Sequence, residues 1–210
     1  MRHDRRRALG AGLAALAASA IAQAEALRAT PSNALGPFYP TAKPADSDAD
    51  LTRVVGRADR AQGTILIVTG RVVDSRGKPI EGALIEVWQA NAFGRYHHPS
   101  DSDASGPLDP AFQGYGALRS ASDGSFRITT IKPPPYGGRT PHIHFIAAAG
   151  RTKLTTQMFF EGEAGNERDS LYRYLSADDR RASTSRYLDT ARGLPDGAVA
   201  VKWDIVLPAA

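Results

Sequence analysis

The chain has 210 residues, 42% hydrophobic and 23% charged, the proportions of an ordinary globular protein of one domain. It contains no cysteine, which excludes a disulfide framework and any thiolate metal site. The formal charge of +4 does not argue for nucleic-acid binding, because residues 1–24 hold four arginines and one aspartate and the rest of the chain carries only +1.

Residues 1–24 read as an export signal rather than as part of the fold. Arg2, Arg5, Arg6 and Arg7 precede an apolar run from Ala8 to Ala22, and Ala22-Gln-Ala24 is a small-x-small cleavage site. The stretch Asp4 to Leu9 is similar to a twin-arginine signal, with Ala8 where phenylalanine is usual. The run is too short and too rich in alanine for a membrane span. The expectation is a periplasmic or secreted protein with no span once the signal is removed.

Residues 25–63 lack strong periodicity and read as an N-terminal arm. Within it, Ser32 to Pro40 is turn-rich and aromatic, and Pro37 and Tyr39 are candidates to border a pocket. Residues 64–210 then read as one all-β domain. Thr64–Asp74 is β-branched and strand-like, and Ser75–Pro79 has turn chemistry. Ala83–Gln89 is a second strand, Ser125–Ile131 a third, His142–Ala148 a fourth, Leu154–Phe160 a fifth and Val199–Leu207 the last. Residues 97–124 read as a long excursion, and Arg168–Arg181 as the one helical region. Three prolines, 133–135, forbid strand pairing and make a rigid extended lead-in to Tyr136. Many short strands separated by turns predict a β-sandwich with long loops.

The chemistry centres on Arg139-Thr-Pro-His-Ile-His-Phe145. On a strand, His142 and His144 point to one face, and two imidazoles on one face make half of a metal site. With no thiolate and no His-Glu-x-x-His helix, the remaining ligands must be oxygens. Tyr136, six residues upstream, is the nearest distinctive candidate, and Tyr96 in the loop after the second strand is another. Phenolates are hard anionic donors that favour a ferric ion. Taken singly, each of these residues has an ordinary structural reading: a loop aromatic, a ring packed on prolines, a core histidine. The adjacent pair His97 and His98 reads as loop and is not assigned to metal.

These segments resemble the intradiol ring-cleavage dioxygenases, above all the protocatechuate 3,4-dioxygenase group in its iron-bearing subunit. The matching stretches are Leu35–Pro40, Gly70–Asp74, Glu86–Ala92, Gly94–Tyr96, Ile131–Pro133 with Tyr136, Pro141–Phe145, Thr156–Phe160 and Trp203–Leu207. The resemblance implies a β-sandwich holding one Fe(III) per chain, with Tyr96 and His142 equatorial and Tyr136 and His144 axial. It implies that Arg139 and Gln157 bind substrate and act in catalysis, with Tyr136 as base toward a substrate proton. The implied reaction cleaves a protocatechuate-like catechol with O2 to a cis,cis-muconate-type dicarboxylate. Two departures are visible. Only Gly137 and Gly138 separate Tyr136 from Arg139, where the protocatechuate enzymes have a longer insertion. The helical dimerisation region of the catechol and hydroxyquinol enzymes is missing. All four ligands on one chain imply a single-chain enzyme or homo-oligomer. Gly70–Asp74 through Pro79, Gly82 and Ala83 also resembles transthyretin-like and carboxypeptidase-regulatory-like binding modules, which would have no use for the ligand set.

Overall fold

The structure, a computed structural model, describes residues 26–102, 106–189 and 193–208; the export signal expected over residues 1–24 lies outside them. Among the described residues the strands are β1 (Ile65–Val73), β2 (Leu84–Trp88), β3 (Tyr115–Arg119), β4 (Ser125–Ile131), β5 (His142–Ala149), β6 (Thr152–Phe160), β7 (Thr184–Tyr187), β8 (Val199–Lys202) and β9 (Ile205–Val206). A turn of 3-10 helix (Asn166–Arg168) and two short helices, α1 (Ser170–Arg173) and α2 (Ala177–Ser183), lie between β6 and β7. No helix among the described residues is long and apolar enough to cross a membrane.

The strands pair in the order β3-β2-β5-β6-β7-β8-β1-β4, with β9 on β1. The β3-β2-β5-β6 half is antiparallel throughout and joins the other half through a two-residue parallel pairing of β6 with β7. One apolar core draws on both halves: Ile85 and Val87 of β2, Ile143 and Phe145 of β5, and Leu66, Val68 and Ile128 of β1 and β4. This is the all-β sandwich the strand pattern predicts.

The alternation of β5 decides where the site can lie. Its odd residues Ile143, Phe145 and Ala147 enter the core, which turns His142, His144 and Ile146 to the outer face. Those outer residues are buried too, because the arm and the loops cover that face. The arm is tied down where Thr30 N–H donates to Val206 and Thr129 N–H donates to Ala49, and between these points it lies on that face, with Gly36 against the His144 ring and the Ala34 carbonyl accepting from Gln157 Nε2.

Two strands escape the sequence reading. β3 lies inside the expected excursion 97–124, and β7 follows α2 directly. The expected last strand divides at Trp203–Asp204, where the chain shifts from pairing Leu66–Thr69 to pairing Val72–Val73. At that shift Arg71 N–H donates to Asp204 Oδ1 at 2.9 Å, and a Cβ on Gly70 would fall 1.8 Å from the Trp203 carbonyl oxygen. Backbone lies on both sides of that contact, so Gly70→Ala is expected to cost at least the roughly 1–3 kcal/mol of an overpacked core, read as a lower urea midpoint with unchanged slope. An unchanged midpoint would show that the crossing is looser than described.

Candidate metal centre

Four side chains from three chain segments meet on the outer face of β5. Trp88, His144 and Gln157 form one row across β2, β5 and β6, and His142 pairs with Phe159 in the next. Tyr96 arrives on the loop after β2. Its turn is held by Asn91, whose Oδ1 accepts from the N–H groups of Phe93 and Arg95. Tyr136 arrives at the end of the proline segment, in a tight turn in which Tyr136 and Arg139 exchange backbone hydrogen bonds. Gly137 and Gly138 take φ of 53° and 78°, which side-chain-bearing residues rarely adopt, so the two-residue turn depends on them.

The polar contacts form a directed chain. Nδ1 of His142 lies 2.7 Å from the carbonyl oxygen of Thr140, which can only accept, so Nδ1 carries the proton. Nε2 therefore offers its lone pair, and the Tyr136 hydroxyl donates to it at 2.9 Å. Tyr136 in turn accepts from the Tyr96 hydroxyl at 2.7 Å. His144 stacks on Trp88 at 4.9 Å and 15°, and its ring meets the His142 ring edge-on at 5.0 Å.

Burial sets the charge state of all four. It raises the Tyr96 hydroxyl well above the usual phenol range, with Tyr136 adding to the effect. It pushes Tyr136 up to about 12, although Tyr96 and Arg139 oppose it. It drives His142 down to about 4, helped by Arg139, and His144 well below the ordinary imidazole range, helped by His142 and Arg139. Neutral imidazoles are the form that binds metal, and a multivalent cation would offset the cost of ionising the buried Tyr96 and half-buried Tyr136 phenols.

Arg139 is fixed beside this cluster. Its Nε donates to Asp169 Oδ2 at 2.7 Å and its Nη2 to Gln157 Oε1 at 2.8 Å, while Gln157 Nε2 donates to the Ala34 carbonyl at 2.9 Å. Asp169 is the residue that sequence reasoning missed. It is fully buried, accepts from Thr140 N–H and caps α1 by accepting from Leu171 and Tyr172 N–H. Burial alone would raise its carboxyl, but the Arg139 and backbone donors more than offset that and hold it below the usual range. Its one sequence signal is the Asp-Ser opening of a helix, which says nothing about Arg139.

The arm contributes differently at its two candidate positions. Pro37 lines a cleft of about 630 Å³ together with Phe38, Phe93, Asp101, Tyr136 and Arg139. Tyr39 does not line it. Its ring packs edge-on against Trp88 at 5.0 Å, and its hydroxyl donates to the buried Glu86 at 3.2 Å, beside Tyr115 and Lys43, which bond the same carboxylate. Tyr39 thus anchors the arm behind the site.

The donor set suits a hard trivalent ion. The Tyr136 oxygen lies within hydrogen-bond reach of both the Tyr96 oxygen and the His142 lone pair, and His144 Nδ1 is buried with no partner of its own. A buried polar atom left unpaired is costly, and a metal-ligating ring is one setting that accounts for it. Among the described residues no three His, Asp or Glu side chains gather to hold an ion, so a metal centre here needs the tyrosine oxygens.

The chain as a whole is similar to known proteins. The family model described as Dioxygenase matches residues 35–209. The protocatechuate 3,4-dioxygenase beta chain of Burkholderia cepacia is 38% identical over 170 residues, covering 76% of this chain and 71% of the relative. The hydroxyquinol 1,2-dioxygenase of Nocardioides simplex is 32% identical over 78% of this chain, which spans 57% of that longer protein. Among solved structures, the dioxygenase domain of a dioxygenase–carbohydrate-binding protein fusion from Streptomyces sp. SirexAA-E superposes with a TM-score of 0.66 at 31% identity. It covers 87% of this chain and 100% of that one.

Proposed function

Because the chain belongs to the intradiol ring-cleavage dioxygenase family, we propose that it holds one Fe(III) on Tyr96, Tyr136, His142 and His144 and cleaves a catechol ring with O2 to a cis,cis-muconate-type dicarboxylate. The observation that carries this reading is the meeting of two neutral phenols, Tyr96 buried and Tyr136 half-buried, with two buried neutral imidazoles beside a fixed guanidinium. When bound, the ferric ion supplies Lewis acidity and a template for substrate and O2.

The chain's own residues supply the rest. Tyr136 lines the cleft while Tyr96 is buried behind it, so the Tyr136 oxygen is the one placed to take a proton from a substrate hydroxyl. His142, with Nδ1 committed to the Thr140 carbonyl, keeps the Nε2 lone pair for the ferric ion. Arg139 faces negative charge as it develops on the ring oxygens; held on two sides, it needs no reorganisation and contributes on the order of 3 kcal/mol. Pro37, Phe38 and Phe93 give the cleft apolar walls that limit water. All four ligands come from one chain, which supports a single-chain enzyme or homo-oligomer. Export by the basic leader over residues 1–24 belongs to the same proposal, supported by its charge order and cleavage site.

The test is a visible spectrum of purified protein, before and after adding a catechol without oxygen. Tyrosinate-to-ferric charge transfer is expected to colour the protein red-brown, and a chelating catechol to shift the band. A protein that stays colourless after ferric or ferrous reconstitution would overturn the proposal in favour of a β-sandwich binding module.

A further inference from the structure

The cleft over Tyr136 has an uneven charge layout. Asp101 and Arg139 are the charged groups among its lining residues, and Arg139 is already engaged by Asp169 and Gln157. A guanidinium tied at Nε and Nη2 cannot swing out to meet an anion elsewhere in the cleft. It serves the ring-hydroxyl end beside Tyr136. Asp101 is different. Its Oδ2 accepts from Tyr96 N–H at 2.6 Å, with no cation paired to it among the ion pairs described. Its charge reaches both phenols, adding to the burial that raises Tyr96 and Tyr136. Among the described residues, an anionic substituent entering this cleft therefore meets a carboxylate and no cation other than the engaged Arg139.

The remaining walls are apolar. Pro37, Phe38, Phe93 and Pro135 line the cleft, and Phe93 is 38% exposed at its edge. The two-glycine turn leaves the side next to Tyr136 open, since a Cβ on Gly137 or Gly138 would meet nothing within 4 Å. A volume of about 630 Å³ is in the range that houses ligands much larger than one ring.

Resting on the dioxygenase reading, we infer that the site takes uncharged catechols carrying an apolar or aromatic substituent, and that Asp101 selects against catechols carrying a carboxylate. This narrows the protocatechuate-like substrate that the sequence resemblance implies. Asp101 acts as a specificity residue by like-charge repulsion, and the apolar rim supplies the attraction.

The experiment is anaerobic titration calorimetry on the ferric protein, which reads binding without turnover. The probes are 3,4-dihydroxybenzamide, its near-isostere 3,4-dihydroxybenzoate, catechol and 4-tert-butylcatechol. The benzoate is expected to bind about tenfold more weakly than the benzamide at low salt, with the gap narrowing as salt rises. 4-tert-Butylcatechol is expected to bind more tightly than catechol. Asp101→Asn keeps an acceptor for Tyr96 N–H, and it should reduce the benzoate-to-benzamide Kd ratio to near one. Equal Kd values for benzoate and benzamide in the unaltered protein, or an unchanged ratio in the variant, would overturn the inference and leave the dioxygenase reading standing. Failure of all four probes to bind would overturn both.

Discussion

His144→Ala is expected to abolish ferric-ion retention and ring cleavage while leaving the metal-free fold standing. Loss of a group that merely orients a metal ligand already costs about 10–100-fold in affinity, so loss of a ligand should exceed a hundredfold. The usual objection to such a variant is that it unfolds. Here the opposing terms are of similar size. Truncation gives up packing against Trp88 and Gly36, but it also removes a buried nitrogen that has no partner, which costs about 1–3 kcal/mol where it occurs. The metal-free variant should therefore melt close to the metal-free parent. The difference should appear on adding ferric ion, which raises the melting temperature of the parent by mass action and not that of the variant. Ferric stabilisation and full turnover in His144→Ala would remove His144 from the ligand set.

The placement of the two histidines is legible in the sequence for a physical reason. His142 and His144 stand two apart on a strand, so one-face placement follows from the pleat alone, and the structure has both on the outer face of β5. Tyr96 and Tyr136 could be proposed because the missing cysteines leave oxygen donors, and the resemblance ordered them. Their meeting across the loops depends on tertiary packing that no local pattern encodes. The bounds of β4 are legible to the residue because Ser125–Ile131 has Asp-Gly before it and, past Lys132, three prolines after it. β3 was lost because its glycine is a packing requirement: a Cβ on Gly116 would fall 2.5 Å from the Asp48 carbonyl of the arm, so the strand carries a residue that argues against strand. The helical region broke into pieces because Asp169 and Ser176 each cap a new start. The sequence places Tyr39 beside Pro37 as a candidate pocket residue. Next-but-one neighbours in an irregular segment need not share a direction, and this one turns inward to Trp88 and Glu86.

The partner of Arg139 was invisible in sequence, thirty positions away, and it carries the other large expected effect. Asp169→Ala is expected to cost about 1–3 kcal/mol of stability at pH 7, because it removes the buried carboxylate that accepts from Arg139, a half-buried guanidinium that keeps Gln157 and the cleft. The same change leaves Thr140 N–H without its acceptor and uncaps α1. The pH dependence separates the ion pair from these backbone losses. Asp169 is held below its unfolded value, so its contribution is fully present above the unfolded carboxyl pKa of about 3.9 and fades as pH falls through the lower folded value. The gap in unfolding free energy between parent and variant should therefore be widest near neutrality and shrink below about pH 4. Asp169→Asn, which keeps an acceptor for the cap, should lose less stability. In both variants the four ligands are untouched, so the red-brown colour should persist while turnover falls, because Arg139 is no longer held on the side away from Gln157. Variants that bleach as well would mean that Asp169 supports the ligands themselves, through Thr140 and the His142 proton it helps to place. A gap in stability that stays constant from pH 7 to pH 3 would mean that the cap, and not the charge pair, is what Asp169 contributes.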